Sequence, residues 1–475
     1  MKPADVFDRD EEWRALTEFA GPGPGARLGV VTGRRRVGKS FLLRRLAAGG
    51  VYHQAIAEER RPALDRVGAL VAERAGLPDG SVHPVDWVSA FDALGSMPAP
   101  VDVPLVVVDE LPYLLEHSPE LLSVIQRWYD ALPPDSPVRL VLCGSSLSTM
   151  SALLTGAQPL RGRAALDLRL SPFDYRVMRD HWAIDSPAVA FDVHAAVGGS
   201  PGYRALSLGA VPQHAADFPE WLGATLLNPA HALYREDDYL LREEPRISDR
   251  ALYQSLLASI AQGDTTPTAI GRRLGRDRTS LAALLRVLVD AGFVERGADI
   301  GNQRAVTYTV ADPILRFSRL LIAPYRPLLD EGRWRAVWDV SGPTWSSQVR
   351  GPHAETVFAE WVRRYASLDT IGGLPVRLGR FTLADERNRS RLELDLAGER
   401  ADGTYSFLAE VKAGGALVGI EQLERLQRAR ELLGARGRDA KLVIAALGGF
   451  TAELVHAGTR PDVELVDLDR LYGGD

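Results

Sequence analysis

The chain alternates short apolar runs with stretches of helical periodicity, a pattern typical of α/β proteins. Residues 28–32 form an apolar, β-branched run that predicts a buried strand, and residues 41–48 follow with helical spacing. Runs at 104–108 and 138–142 predict further strands, each buried on both faces. The pattern therefore predicts a parallel sheet with helices in the N-terminal part of the chain. Weaker patterns there predict a helix at 7–20, a strand at 51–57, a helix at 62–75, a strand at 166–170 and a helix at 191–197.

The loop after the first predicted strand carries residues suited to a triphosphate. It fits G-x-x-x-x-G-K-[ST], in which backbone N–H groups wrap a phosphate chain at the start of a helix. Lys39 can reach the β- and γ-phosphates, and Ser40 can bind Mg²⁺. The sequence therefore predicts a site for ATP and Mg²⁺. The residues expected to contact the nucleotide are Gly33, Arg34, Arg35, Arg36, Val37, Gly38, Lys39, Ser40 and Phe41.

Two acidic residues follow the strand predicted at 104–108. We expect Asp109 to bind Mg²⁺ through water and Glu110 to orient and deprotonate the attacking water. The alternative is an acidic strand end in a loop. Their place after a Gly-Lys-Ser loop favours the catalytic interpretation.

Other polar residues of this part have more than one possible role. Ser145 or Ser146, after the strand at 138–142, could sense the γ-phosphate or could belong to a simple turn. Arg163 could neutralise transition-state charge, in its own subunit or in a neighbour's, or could belong to a solvated basic loop.

Two glycine-rich motifs suggest other functions that the residues do not support. Residues 21–25 (GPGPG) precede a strand instead of following one, so we interpret them as a linker and not as a dinucleotide site. Residues 198–202 match G-x-S-x-G, but Pro201 has no N–H to serve as an oxyanion donor. The serine-hydrolase interpretation therefore fails, and we expect a glycine-rich turn between lid helices.

Four segments, in this order, resemble the archaeal-type ATPase family of the signal-transduction (STAND) NTPases: FDRDEEWRAL, GRRRVGKS, VVVDELPYL and GGSPGY. The resemblance implies an α/β ATPase core with a helical lid. It also places Arg9 near the nucleotide.

Residues 250–310 predict a winged helix-turn-helix. Helical patterns at 250–261, 266–274 and 279–291 are followed by strand patterns at 292–296 and 305–310. A local excess of arginine suits contacts with DNA phosphates. Docking between domains or onto a protein is the alternative, because the last helix offers few base-reading side chains. The clustered arginines are Arg272, Arg273, Arg276, Arg278 and Arg286.

The C-terminal part predicts a second acidic site on two strands, at 392–396 and 405–412. Glu410 and Lys412 share one face of their strand, and pairing through a turn at 398–403 would bring Asp395 beside them. Two carboxylates suit Mg²⁺, and a nearby lysine can help to activate water.

This arrangement resembles the D…E-x-K motif of the PD-(D/E)xK nucleases. By that resemblance, Glu355 is the helix carboxylate and a further metal ligand, although Ala354 replaces the usual aromatic residue. Gln422 matches an accessory position. The chain could cut DNA, or it could retain the fold without cutting. Flanking strands are expected at 370–375, 442–446 and 463–466.

Composition limits the function classes. The formal charge of -6 argues against a chain that coats nucleic acid over its whole surface, but it allows a local basic face. The single cysteine, Cys143, excludes a disulfide framework. No apolar stretch of about eighteen residues exists, and the N-terminus is too acidic for a signal peptide. We expect a cytoplasmic protein with no membrane partner.

The combined prediction is an α/β chain of three parts: an ATPase core with the start of its lid (1–210), the lid remainder with a winged helix (211–325), and a restriction-endonuclease-like domain (345–475). ATP would act as a switch that licenses DNA contact or cleavage. The alternatives are a non-catalytic ATP-dependent regulator or scaffold, which associates with itself or with a protein partner, and a DNA-binding repressor.

Overall fold

The chain divides into two compact units. The first comprises Met1–Pro172, Ser200–Gly202 and Leu240–Ser248, and the second comprises Phe173–Gly199, Tyr203–Tyr239 and Asp249–Asp475. The predicted three-domain boundaries stay a prediction. Pro104, the first residue of one predicted strand, lies outside the described residues. The computed structural model describes residues 1–96, 105–156, 158–207, 209, 211–302, 305–385 and 389–475.

The first unit is built on a parallel sheet, as predicted. Within the described residues its order is β2-β3-β4-β1-β5, with every neighbouring pair parallel. The carboxyl ends of β1, β3 and β4 therefore meet at one edge of the sheet. The strands are β1 (Arg27–Gly33), β2 (Val51–Gln54), β3 (Leu105–Asp109), β4 (Arg139–Gly144) and β5 (Ala164–Leu170).

Helices cover both faces of this sheet. Val30 and Val108 pack into one apolar cluster, whereas Val31 and Val107 pack into another. Neighbouring residues of a strand therefore face opposite sides of the sheet, and both sides are buried. This burial explains why nearly every position in these strands is apolar. The helices of this part are α1 (Asp10–Ala20), α2 (Lys39–Leu46), α3 (Arg60–Arg74), α4 (Trp87–Gly95), α5 (Leu111–His117), α6 (Leu121–Ala131) and α7 (Leu147–Ala152).

Further helices follow along the chain. The glycine-rich turn at Gly198 comes directly after a helix and not after a strand, as predicted. These helices are α8 (Tyr175–Trp182), α9 (Pro187–Val197), α10 (Gly202–Leu206), α11 (Asp217–Ala224) and α12 (Glu236–Arg242).

The next segment has the predicted order of three helices and two antiparallel strands. These are α13 (Arg250–Ala261), α14 (Pro267–Leu274), α15 (Arg278–Asp290), β6 (Val294–Ala298) and β7 (Val306–Val310). Four helices come next: α16 (Pro313–Phe317), α17 (Arg326–Asp330), α18 (Trp334–Thr344) and α19 (Gly351–Arg364). A π-helical segment, Trp345–Arg350, joins α18 to α19, and Glu355 is the fifth residue of α19.

A second, mixed sheet contains the C-terminal strands in the order β12-β11-β10-β9-β8. The pairs β8–β9 and β9–β10 are antiparallel, whereas β10–β11 and β11–β12 are parallel. The strand expected at 370–375 is wrong: that segment forms turns, and β8 begins two residues later. The elements are β8 (Arg377–Asp385), β9 (Ser390–Glu399), β10 (Tyr405–Lys412), α20 (Glu421–Leu433), β11 (Lys441–Ala446), α21 (Ala452–Ala457), β12 (Val463–Val466) and α22 (Leu468–Gly473).

Among the described residues, we find no helix whose length and apolar character would let it cross a membrane.

Candidate functional site

The glycine loop lies between β1 and α2 in the first unit. Gly33 ends β1 so close to β5 that a Cβ there would lie 2.7 Å from the carbonyl oxygen of Leu170. Gly38 adopts a φ of 99° immediately before α2, a conformation that favours glycine. The two glycines therefore fit the backbone path that turns the loop toward a helix N-terminus, where N–H groups can meet phosphate oxygens.

Ser40 and Asp109 meet at the carboxyl edge of the sheet. The Ser40 hydroxyl donates to Asp109 Oδ2 at 2.6 Å, and the Tyr52 hydroxyl donates to the same oxygen. Burial raises the pKa of the Asp109 carboxyl, but hydrogen bonds from Cys143, Ser40 and Tyr52 outweigh it and leave the pKa below its ordinary value. Asp109 is therefore held as a carboxylate beside a hydroxyl.

Lys39 lies against the loop. Its Nζ donates to the carbonyl oxygen of Arg34 at 3.0 Å, and the residue is only 5% exposed. Its charge also lowers the pKa of Glu110, although burial raises that pKa more. The ammonium group is thus close to both the loop and the acidic strand end.

Glu110 is the residue immediately before α5 and adopts the left-handed conformation, with φ 55°. Its Oε2 accepts a hydrogen bond from the Ser145 hydroxyl at 3.0 Å. Burial raises the pKa of Glu110, and the neighbouring Asp109 and Glu243 carboxylates add to the rise. Ser146 instead caps α7, where its hydroxyl accepts from the N–H of Thr149. Of the two serines, Ser145 is the one that contacts the candidate base.

Arg9 reaches the loop from the residue before α1. Its Nη2 donates to the carbonyl oxygens of Ser171 at 2.6 Å and Val37 at 3.4 Å, and its Nη1 pairs with Glu12. It therefore touches the backbone of the predicted nucleotide loop.

The other loop residues have distinct surroundings. Arg35 forms an ion pair with Glu243. The carbonyl oxygen of Arg36 accepts from the N–H of Gly202 at 3.1 Å, and the Phe41 ring lies under the guanidinium of Arg45. Glu243 and Tyr52 were not predicted, because neither belongs to a recognisable motif.

Arg163 does not lie at this site. It precedes β5, at the edge of the sheet where the parallel strands begin, and pairs with Asp130 at 2.7 Å. The loop lies at the opposite edge, so the prediction of a finger acting within the same chain is wrong. Action on a neighbouring subunit stays a prediction.

The second acidic group lies on β9 and β10, in the second unit. Asp395 Oδ2 accepts from the N–H of Val411 at 2.8 Å, and Lys412 Nζ lies 2.6 Å from Glu410 and 3.7 Å from Asp395. Burial and the Glu410 carboxylate raise the pKa of Asp395. The structure thus places the three predicted residues together.

Arginines hold the carboxylates of this group. Arg425, on α20, donates to Glu410 Oε1 at 2.8 Å, and Arg380, on β8, pairs with Glu355. Burial raises the pKa of Glu355, and the Asp395 carboxylate adds to the rise. Gln422, the accessory position of the resemblance, lies on the same helix as Arg425, and its role stays a prediction. Across the described ranges, no three or more His, Cys, Asp or Glu side chains form a group that could hold a metal ion.

Comparisons with known proteins support the fold. No family model matches the chain. An uncharacterized protein of Methanocaldococcus jannaschii is 25% identical over 331 residues, which cover 68% of this chain and 70% of the relative. The ORC2 protein of Aeropyrum pernix matches 71% of this chain and 97% of its own at 15% identity, but its TM-score of 0.43 supports no conclusion. The Walker-type ATPase of Pyrococcus abyssi matches 67% of this chain and 97% of its own length, with a TM-score of 0.52 and 20% identity. Over 67% of its length, the chain therefore shares the fold of a Walker-type ATPase.

Proposed function

We propose that this protein binds ATP with Mg²⁺ in the loop between β1 and α2 and hydrolyses it as a slow switch. The observation that carries the proposal is the 2.6 Å hydrogen bond between Ser40 and Asp109, directly beside the buried Lys39. A hydroxyl, a carboxylate and an ammonium group converge where a helix N-terminus meets a glycine loop.

The donor set fits Mg²⁺. Ser40 and Asp109 supply hard oxygen atoms, and Asp109 is favoured in its ionised form. A magnesium ion held there would neutralise negative charge on the β- and γ-phosphates.

The side chains of this chain divide the remaining work. Lys39 would bind the phosphates, and Glu110 would orient and deprotonate the attacking water. Ser145 would position Glu110 through its 3.0 Å hydrogen bond. Arg9 would fix the loop through the carbonyl oxygen of Val37.

Calorimetric titration with ATP tests the proposal. Lys39→Ala should abolish the binding heat, because the phosphates lose their cation. Lys441→Ala should leave it unchanged, since Lys441 pairs with Glu464 in the second unit. Absence of binding heat for the parent chain would contradict the proposal.

For the second unit, we propose a nuclease-like fold that is directed at DNA. The juxtaposition of Asp395, Glu410 and Lys412 supports it, because two oxygen ligands and a lysine suit phosphodiester chemistry. The test incubates the chain with Mg²⁺ and plasmid or branched DNA. Nicking that disappears in Asp395→Ala and Lys412→Ala, but persists in Lys441→Ala, would support cleavage.

A specific observation favours a second candidate, a regulator or scaffold that binds ATP but does not cut DNA. Lys412 and Arg425 together neutralise Glu410, and Arg380 neutralises Glu355, so the carboxylates are held by cations of the chain itself. Intact DNA in every nucleotide state would favour this candidate. A repressor that recognises a DNA sequence would also leave DNA intact, but at one salt concentration it would bind a particular sequence far more tightly than random DNA.

A further inference from the structure

A short segment with two adjacent glutamates, Leu240–Ser248, belongs to the first unit although it lies far along the chain from the glycine loop. We call it the strap. Glu243 forms an ion pair with Arg35 of the loop, and Glu244 accepts a hydrogen bond from Ser148 on α7. Because α7 begins just after Ser145, the strap is attached to the two elements that flank the candidate nucleotide site.

The two attachments differ in burial. The side chain of Glu244 is 3% exposed and also pairs with Arg246 at 3.3 Å. Glu243 and Arg35 are more accessible, with side chains 19% and 38% exposed. Separating an accessible ion pair requires little free energy, whereas displacing a buried and hydrogen-bonded carboxylate requires much more. Glu244 is therefore the anchor, and the pair of Glu243 with Arg35 is the exchangeable contact.

The charge of Glu243 lies close to the catalytic end of the site. Its carboxylate interacts with Glu110 and with Tyr113 on α5, after the larger effect of burial on both groups. A terminal phosphate bound beside Lys39 and Glu110 would add negative charge to the same region. Because both groups are anions, the phosphate and Glu243 would compete for the Arg35 guanidinium.

We propose that Arg35 and Glu243 together distinguish a nucleoside triphosphate from a diphosphate. Glu243 holds Arg35 when no third phosphate is bound, and the third phosphate replaces Glu243 as the anionic partner of Arg35. A diphosphate lacks that group, so it leaves the ion pair in place. This inference rests on the proposed ATP site. It assigns Arg35 as the residue of that site that binds the third phosphate.

The test measures affinities for ADP and for a non-hydrolysable ATP analogue, both with Mg²⁺, on the full chain. Glu243→Gln should raise the affinity ratio of the analogue over ADP roughly fivefold or more. Arg35→Gln should lower that ratio, and adding Glu243→Gln to Arg35→Gln should change nothing further. Asp65→Asn is the matched control, because it removes a carboxylate from an exposed ion pair with Arg61 in the same unit.

Each outcome decides a different claim. A Glu243→Gln chain that binds both nucleotides with the parental ratio would overturn the inference. So would a ratio change in Glu243→Gln that persists in the Arg35→Gln background, since it would reflect charge alone. Failure of the parent chain to bind either nucleotide would instead contradict the proposed ATP site.

Discussion

At the scale of single residues, the first site is organised by one carboxylate. Asp109 accepts hydrogen bonds from Ser40, Tyr52 and Cys143, which come from α2, β2 and β4. Three donors keep it ionised despite full burial, because each stabilises the charged form. The next residue, Glu110, has fewer donors and a raised pKa. Two adjacent acids thus differ in ways that suit metal binding and proton transfer, respectively.

We expect Glu110→Gln to separate nucleotide binding from hydrolysis. The amide cannot accept the proton of the attacking water, so the hydrolysis rate should fall by about 100-fold or more. ATP should still bind and remain trapped, because Lys39, Ser40 and Asp109 are unchanged. Single-turnover hydrolysis and calorimetry measure the two effects. The control is Glu116→Gln, an exposed position on α5, the helix that follows Glu110. Parental hydrolysis in Glu110→Gln would disprove the assigned role.

We expect Glu360 to make stability depend on pH. Burial, with the Asp174 carboxylate second, raises the pKa of Glu360 from 4.5 to about 7. The folded chain therefore favours the neutral form. The associated stability is complete below pH 4.5 and is lost as the pH rises through about 7.

The variant Glu360→Gln should raise the free energy of unfolding at pH 8, by at most about 3 kcal/mol, and should change it little at pH 4. Chemical denaturation at both pH values measures the difference. Glu453→Gln, at an exposed position, should show no such pH dependence. An equal effect of Glu360→Gln at pH 4 and pH 8 would contradict the predicted ionisation.

At the scale of elements, the sequence pattern predicted those helices and strands whose conformation depends on residues that are close in the sequence. An apolar run, a glycine loop and helical spacing together predicted β1, the loop and α2. Period-two alternation predicted the strands β9 and β10, and the turn between them predicted their pairing, which brings Asp395 close to Glu410 and Lys412. Burial on both faces gave β3 and β4 their unbroken apolar sequences.

The missed features depend on contacts between distant parts of the chain. β8 has the mixed sequence RLGRFTLAD, whose strand conformation comes from pairing with β9. Arg425 and Gln422 lie on the same helix, and only the packing of α20 decides which one faces Glu410. Arg35 and Glu243 are separated by 208 residues, so no local pattern links them.

We expect Gly33→Ala to damage the junction between β1 and the loop. The added Cβ would lie 2.7 Å from the carbonyl oxygen of Leu170 and 2.9 Å from Val37, so the loop must shift away from β5. Nucleotide affinity and melting temperature should both fall. Gly415→Ala is the control, because a Cβ there meets no atom within 4 Å. Unchanged affinity in Gly33→Ala would show that the loop geometry is not required.

At the scale of the whole molecule, each unit has a core of its own. Val30 and Leu142 belong to an apolar cluster of the first unit, and Leu408 and Ile444 belong to one of the second. Ligand binding stabilises the folded state of the unit that holds the site. The stabilising effect of ATP should therefore be strongest in the first unit.

Hydrogen exchange measures this effect unit by unit. For the amides of β1 that exchange through global opening, exchange measures the free energy of that opening. An ATP analogue at 100 times its dissociation constant should raise this free energy by about 2.7 kcal/mol. Lys39→Ala should abolish the protection, whereas Lys441→Ala should retain it. Protection confined to β10 and β11 would place the nucleotide in the wrong unit and contradict the proposed site.

The burial of Cys143, whose thiol donates a hydrogen bond to Asp109, has a practical consequence for labelling. Cys143 is the sole cysteine of the chain, it has no exposed surface, and burial raises the pKa of its thiol. Thiol-reactive dyes need an accessible thiolate, so the native side chain should react slowly with them. A cysteine introduced at the exposed Ser248 would then carry the dye selectively. Fluorescence could follow the strap through a nucleotide cycle while the wild-type thiol stays in place.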